Sequence, residues 1–143
     1  MKIALLIALV LFSTSSFSLE EQAIKMAATD YLDAFYFGDT VKLKRSISPS
    51  VIKYGYFRAK TQTTYQGEPM SYQDMINYTL SVKKKNNADL AVKFIKEVLV
   101  LDVQSQTACV KVKAWWGTDY LLLAKINDRW MITHVLWQSY SHD

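Results

Sequence analysis

The chain has 143 residues, half of them apolar and 13% aromatic, and carries a net charge of +4. This length and composition exclude a disordered chain and predict one globular domain. The mild, dispersed charge does not indicate a nucleic-acid partner, and the single cysteine, Cys109, excludes an internal disulfide.

The chain begins with the pattern of a secretory signal peptide. Met1 and Lys2 form a short basic region, an unbroken apolar run extends from Ile3 to Phe12, and serines flank Phe17. This order predicts export to the periplasm or the medium, with cleavage after Ser18. The alternative is an ordinary buried N-terminal helix. The apolar run is shorter than the roughly 20 residues that cross a bilayer, so we expect no membrane association after cleavage. The chain therefore divides into a signal peptide, residues 1–18, and a single domain, residues 19–143.

Two helices and the first strands are predicted after the signal. Apolar residues recur at three- and four-residue spacing over Glu20–Phe37, which predicts an amphipathic helix that ends at Gly38. A short second helix is predicted next. Asp39 or Thr40 can cap its start, and Pro49 closes it. The β-branched and aromatic run Val51–Arg58 predicts the first strand, and a second short strand is expected around Thr63–Tyr65.

A third helix has a well-defined start. Ser71 and Asp74 form a variant capping box, and Met70 and Met75 are spaced as a hydrophobic staple. The helix is predicted to run to about Lys85. The three consecutive lysines at its end complement the helix dipole, so they do not indicate nucleic-acid binding.

From Val92 onward, apolar and polar residues alternate with a period of two. Consecutive strands with short connections predict a twisted antiparallel meander. Because the helices come first and the long strands follow, the fold class is α+β. The predicted strands are roughly Val92–Val103, Thr107–Trp115, Thr118–Ile126 and Trp130–Tyr140.

The two faces of these strands differ. Ala108, Val110, Val112 and Ala114 share a face that suits a concave surface covered by helices. The run Leu121–Leu123 places apolar side chains on both faces, so something is expected to cover the outer face as well. A homodimer through this outer face is one candidate, and coverage by terminal residues or the polar loop is the other.

Several motifs carry a family resemblance. They are Tyr31-Leu-Asp-x-x-Tyr-x-Gly38-Asp39, the turn at Pro49, Ala108-x-Val-x-Val112, Asp119-Tyr-Leu-x-Leu123 and Arg129-Trp-Met-Ile132. With this order of elements, the chain resembles the NTF2-like superfamily, and most closely its group of small exported proteins named putative lumazine-binding, next to the SnoaL-like proteins. The resemblance implies an α+β cone, in which a strongly curved antiparallel sheet carries the N-terminal helices on its concave face. Members of that group often have His-Pro where this chain has Ser48-Pro49, so no functional residue is carried over from that corner.

The aromatic residues indicate a ligand pocket inside the cone. Such side chains can stack a flat heterocycle or hold an apolar molecule, with hydroxyl groups fixing its orientation, although each can equally be ordinary core packing. The predicted lining residues are Tyr36, Tyr54, Tyr56, Trp115 and His134.

Three functions are compatible with these features. The first is an exported domain that binds a small apolar or aromatic molecule in its cone without catalysis. The second follows superfamily enzymes and is an isomerase or dehydratase in which His134 and a tyrosine act as an acid–base pair; the strand parity of His134 points it inward. Asp33 and Asp119 are poorer candidate bases because periodicity and strand parity direct them toward solvent. The third is a dimerising interaction module whose cone is filled by its own side chains.

No metal site or cofactor is predicted. The only histidines are His134 and His142, and the sequence contains neither a Cys/His pair nor a glycine-rich phosphate loop.

Overall fold

The computed structural model of the protein describes residues 2–85 and 96–141. Within these ranges there are three helices and six strands, which confirms the α+β class. In chain order they are α1 (Lys2–Phe37), α2 (Thr40–Ser46), β1 (Ile47–Phe57), β2 (Gln66–Pro69), α3 (Tyr72–Lys85), β3 (Glu97–Val103), β4 (Thr107–Ala114), β5 (Gly117–Ile126) and β6 (Arg129–Ser139). The predicted start of the third strand at Val92 lies outside the described residues.

The strands form one curled, open sheet in the order β2-β1-β6-β5-β4-β3. The four late strands pair antiparallel with their neighbours in sequence, as the meander prediction requires. The sheet as a whole is mixed, because β1 pairs with β6 in parallel. Since β1 and β6 are far apart in the chain, no hairpin fixes their relative direction.

Helix α1 includes the predicted amphipathic helix as its C-terminal part and continues back to Lys2. Among the described residues, no helix combines the length and the apolar character needed to cross a bilayer. The helix ends at Gly38, whose φ of +70° lies in the left-handed region. A Cβ at Gly38 would lie 2.4 Å from the backbone nitrogen of Lys83, so glycine also permits the close approach of α1 and α3.

The other helix starts follow the predicted capping chemistry. In α2, the Asp39 carboxylate accepts hydrogen bonds from the backbone N–H groups of Val41 and Lys42, both at 3.0 Å. In α3, the Asp74 backbone N–H donates to Ser71 Oγ, and the Ser71 backbone N–H donates to the Asp74 carboxylate. This reciprocal pair is the capping box that the sequence predicts.

The early strands start at different residues from those predicted. Strand β1 begins at Ile47, so Pro49 lies within it, where the pairing with β6 shifts register between Ile47 and Ile52. A proline, which has no N–H to donate, is tolerated at such an irregularity. The second strand lies at Gln66–Pro69, just after the predicted Thr63–Tyr65, and pairs with β1 at the edge of the sheet.

The core lies between α1 and the concave face of the sheet. Ile24, Ala28 and Leu32 of α1 are fully buried there. The predicted inward face of β4 is buried against them, including Val110 and Val112. The aliphatic side of the meander therefore turns toward the first helix, as the strand parity predicts.

Candidate functional site

A cavity of about 830 Å³ opens between the concave face of the sheet and helices α1 and α3. Most of its wall is aromatic or apolar. The apolar lining includes Phe35, Met70, Tyr78, Trp115, Trp116 and Trp137, and the polar lining includes Lys53, Lys60, Glu68 and Ser139. A cavity of this size and character is typical of a small-molecule site.

A glycine in β1 makes room for one of the tryptophans. Gly55 stands opposite Trp137 in the parallel pairing of β1 and β6. A Cβ at Gly55 would lie 1.8 Å from Nε1 of Trp137, far inside van der Waals contact. The indole therefore lies across β1 only because residue 55 has no side chain.

The tryptophans at the β4–β5 connection are held by ring contacts. Trp115 and Trp116 meet edge to face, with centroids 5.7 Å apart. Trp116 also packs against Phe35 at 5.8 Å and against Tyr36 at 5.5 Å. This packing fixes the orientation of the aromatic wall before any ligand arrives.

One charged side chain reaches the cavity from the concave face of β1. The side chain of Lys53 is only 5% exposed, and its Nζ lies 4.7 Å from the ring centroid of Phe35. Nζ donates a hydrogen bond of 2.6 Å to the hydroxyl oxygen of Tyr31. The amino group is thus held in an apolar enclosure by its hydrogen bond to Tyr31.

Tyr31 connects this lysine to a buried carboxylate. The Tyr31 hydroxyl donates a short hydrogen bond to Oδ2 of Asp119, and Oδ2 lies 3.9 Å from Nζ of Lys53. Trp116 Nε1 donates to Oδ1 of the same carboxylate at 2.8 Å. We refer to Lys53, Tyr31 and Asp119 as the buried polar cluster.

Burial dominates the electrostatics of this cluster. It lowers the pKa of the Lys53 amino group, an effect that the nearby charge of Asp119 opposes. It raises the pKa of Tyr31 well above its ordinary value, and the charge of Asp119 and their hydrogen bond add to the rise. Tyr31 therefore stays protonated and acts as a hydrogen-bond bridge between the amine and the carboxylate.

The predicted lining residues are not brought together at this cavity. Trp115 lines it. Tyr36 is buried beside it, and its hydroxyl accepts a hydrogen bond of 3.0 Å from the Trp115 backbone N–H, but it is not among the lining residues. Tyr54 and Tyr56 are 38% and 44% exposed, because the alternate residues Lys53 and Gly55 occupy the inward positions of β1. The two tyrosine rings pack edge to face on the outer side.

The prediction that His134 points inward is wrong, because β6 contains an irregularity. Leu122 pairs with His134, whereas the next residue, Leu123, pairs with Ile132, so Thr133 is an extra residue in β6. The extra residue reverses the parity of the strand. His134 is therefore exposed on the outer face, although Ile132 is buried on the inner one.

The prediction that Asp119 faces solvent is also wrong. Asp119 is fully buried, because its parity in β5 is that of the buried Leu121 and Leu123. Lys125 has the same parity, but it lies near the end of the strand, where its Nζ donates to Glu20 of α1 at 2.6 Å. Lys125 therefore lies on the inward face of β5, where Glu20 accepts its hydrogen bond.

Asp33 is likewise buried, contrary to the expected exposure. Its carboxylate accepts hydrogen bonds of 2.5 Å from Lys42 of α2 and from Lys96 just before β3, and these neighbours cover that side of α1. Burial raises the pKa of Asp33, but the two lysines outweigh this effect and hold it below its ordinary value. Asp33 therefore pairs with Lys42 and Lys96 and does not line the cavity.

Sequence reasoning missed the buried polar cluster as a site. A usable signal was the parity of Lys53 with Val51 and Gly55, which places a lysine on the same face as an aliphatic residue and a glycine. The separation of Tyr31 from Asp119 by 88 positions leaves no local signal of their contact. Within residues 2–85 and 96–141, no group of His, Cys, Asp and Glu side chains is arranged to hold a metal ion, and His142 lies outside these ranges.

The fold is that of the NTF2-like class, and solved structures of that class match the chain. An NTF-2 like protein of unknown function from Silicibacter pomeroyi matches with a TM-score of 0.66 and 17% identity, covering 87% of this chain and 98% of that one. A similar protein from Shewanella baltica gives 0.58 and 14%, over 87% and 97%. The association domain of C. elegans CaMKII gives 0.55 and 16%, over 87% and 98%.

The family model described as "Putative lumazine-binding" matches residues 19–138, so the chain belongs to that family. This confirms the family resemblance of the sequence motifs. No curated protein matches the chain at a significant level.

Proposed function

We propose that this protein binds a small, flat heterocycle of the lumazine class in the cavity, with a carbonyl oxygen of the ligand against Lys53. The observation that carries the proposal is a buried lysine amino group within an aromatic enclosure. The family description names lumazine, a pteridine with two ring carbonyl groups. A planar ring of this kind suits indole faces, and its oxygens accept hydrogen bonds from an amino group.

The buried polar cluster explains how an amino group can serve this purpose. A lysine without partners in an apolar wall is strongly disfavoured. Here Tyr31 and Asp119 hold Lys53 in place and supply a counter-charge, and Lys53 contributes to the cavity wall. A ligand oxygen would therefore meet a donor whose orientation is already fixed, which lowers the entropic cost of binding.

The proposal involves binding without conversion of the ligand. His134 cannot act as the base of an isomerase or dehydratase in this cavity, because that histidine is exposed on the outer face of the sheet. The third possibility, a cone filled by its own side chains, is disfavoured by the open volume beside Lys53.

Replacing Lys53 with methionine should weaken the binding of lumazine. Lys53→Met keeps the length and the apolar stem but removes the donor. A hydrogen bond from a charged group contributes about 1.5–3 kcal/mol. We therefore expect the Kd for lumazine to rise at least about tenfold, measured by isothermal titration calorimetry.

Lys44→Met is the matched control, since Lys44 is an exposed lysine of α2 away from the cavity. Its Kd should equal that of the wild-type protein. Equal affinity in the wild-type protein and the Lys53 variant would refute the assignment of the ligand to this cavity.

We also propose that the protein is exported and that its mature form begins at Leu19. The supporting observation is the basic, apolar and small-residue order of residues 1–18. The intact mass of the protein recovered from an exporting host tests this. A mass that still includes residues 1–18 would contradict it.

A homodimer through the outer face of the sheet is a third proposal, favoured by exposed apolar side chains there. One row crosses five strands in register and contains Tyr54, Leu136, Tyr120, Lys111 and Leu99. Leu136 is 52% exposed and Leu99 56%. Apolar surface of this extent on a sheet is typical of an interface between protein chains.

A further inference from the structure

We propose that Lys53 captures aldehydes or ketones that enter the cavity by forming a covalent imine through its Nζ. This inference rests on the proposed function, because the same cavity must first admit the ligand. It adds a reactive role to the lysine, and it names ligands with a free carbonyl carbon as a second chemical class.

The first requirement of imine formation is that a carbonyl compound inside the cavity can reach Nζ of Lys53. The position of this lysine in the cavity wall meets it. Lys53 contributes to the cavity wall although its side chain is 5% exposed overall. Its Nζ lies 4.7 Å from the ring centroid of Phe35 and 5.9 Å from that of Trp137. A carbonyl compound stacked on these rings is held next to the amine, which raises its effective concentration.

The second requirement is an amine that can release its proton. Nζ donates to the Tyr31 hydroxyl at 2.6 Å, and Tyr31 donates in turn to Asp119. A proton can leave Nζ for the Tyr31 oxygen while the Tyr31 proton moves to Asp119. The ammonium–carboxylate pair then becomes a neutral amine and a neutral acid, so the cluster gains no net charge. Burial favours the neutral form of the Lys53 amine, in the direction of its lowered pKa.

The reaction balances with the groups present. The Nζ lone pair attacks the carbonyl carbon, the carbonyl π electrons move to oxygen, and a proton shift from nitrogen to oxygen gives a carbinolamine. The C–O bond then breaks, and the oxygen leaves as water with the proton that Asp119 returns through Tyr31. The product is an iminium on Lys53 beside an ionised Asp119. No oxidant or reductant takes part.

Borohydride trapping with an aromatic aldehyde tests this step. The full chain is incubated near neutral pH with 2-naphthaldehyde and sodium cyanoborohydride, whose hydride adds to the iminium carbon. Each captured molecule adds the mass of the aldehyde less one oxygen atom. Because the cavity holds the two reactants together, we expect the Lys53 peptide to carry at least about tenfold more label than the Lys44 peptide.

Two variants then show which lysine carries the label. Lys53→Arg keeps a positive charge without a nucleophilic amine and should lose the dominant label, whereas Lys44→Arg should keep it. The peptide map of the wild-type protein locates the label even if Lys53→Arg folds poorly. Labelling spread equally over exposed lysines in the wild-type protein would overturn the proposal.

Calorimetry with lumazine distinguishes this inference from the function on which it rests. If lumazine binds but Lys53 is not labelled, the imine proposal fails and the binding proposal stands. If lumazine binds and also slows labelling of Lys53, both are supported. If neither binding nor labelling occurs, both fail.

Discussion

At the scale of single residues, Lys53 is the least expected feature of the interior. Its amino group is buried beside Phe35 and Tyr31, where a charge is disfavoured, and Asp119 is the acidic member of the buried polar cluster that it faces. Apolar side chains of similar size in place of both Lys53 and Asp119 would fill the same space without that cost. The retention of an amino group in this position is therefore better explained by binding chemistry than by stability.

Asp119→Asn should destabilise the protein strongly. The substitution keeps the shape of the side chain but removes the counter-charge of a buried lysine. Breaking a buried pair in this way costs about 3–5 kcal/mol, whereas replacing both partners is often neutral. The double variant Lys53→Met with Asp119→Asn should recover most of the loss, as measured by urea denaturation and a double-mutant cycle.

Asp102→Asn provides the matched control, because Asp102 is an exposed carboxylate on β3. It should change the free energy of unfolding by less than about 0.5 kcal/mol. A double variant no more stable than Asp119→Asn alone would show that Lys53 and Asp119 are not energetically coupled.

At the scale of elements, two small irregularities in the strands decide what enters the cavity. The extra residue Thr133 reverses the parity of β6, so that the second half of the strand presents Val135 and Trp137 inward. Gly55 in β1 then leaves the space into which Trp137 extends. Without the extra residue Thr133, or with a side chain at position 55, Trp137 would not line the cavity.

Gly55→Ala should damage the cavity and the fold together. The added methyl group would overlap the Trp137 ring, with no small shift to relieve it. Overpacking of this kind costs about 1–3 kcal/mol. Displacement of the indole should also weaken lumazine binding, which calorimetry and thermal unfolding can follow on the same sample.

Gly67→Ala is the comparable change outside the cavity. A Cβ there would approach the Tyr54 hydroxyl, the end of a side chain that can swing aside on the exposed face. We expect little effect on stability or affinity. If Gly55→Ala is equally mild, Trp137 does not depend on this gap.

At the scale of the whole molecule, the two faces of the sheet both carry apolar side chains but differ in how far they are covered. The inner face buries Val110, Leu121 and Ile132 under α1. The outer face exposes Ile52 at 63% and Leu122 at 47% within the described residues. The fold of one chain covers the first face and leaves these apolar side chains of the second face exposed.

Leu122→Lys should therefore prevent the proposed homodimer. Leu122 lies on the central strand β5, where a two-fold interface would bury its charged replacement near the partner. The wild-type protein should elute with the mass of two chains, and the variant with that of one, in size-exclusion chromatography with light scattering. Val41→Lys changes a side chain of α2 that is 69% exposed and should leave the mass unchanged. A monomeric wild-type protein would contradict the proposal.

Local patterns were sufficient for the architecture. The capping box at Ser71, the left-handed stop at Gly38 and the alternation around Val110 are short-range features, and each has its predicted structure. The site depended on longer-range features. His134 was misplaced because a single inserted residue changes every later parity, and no local signal marks the insertion.

The sequence alone determined the α+β class, the order of the elements and the face of the meander that meets the first helix, because periodicity and capping act within a few residues. Only the tertiary structure brought Tyr31 and Asp119 to the amino group of Lys53. Their contact depends on the curl of the sheet and on the packing of α1 against it, and these are set by the sum of all side-chain contacts rather than by any one segment.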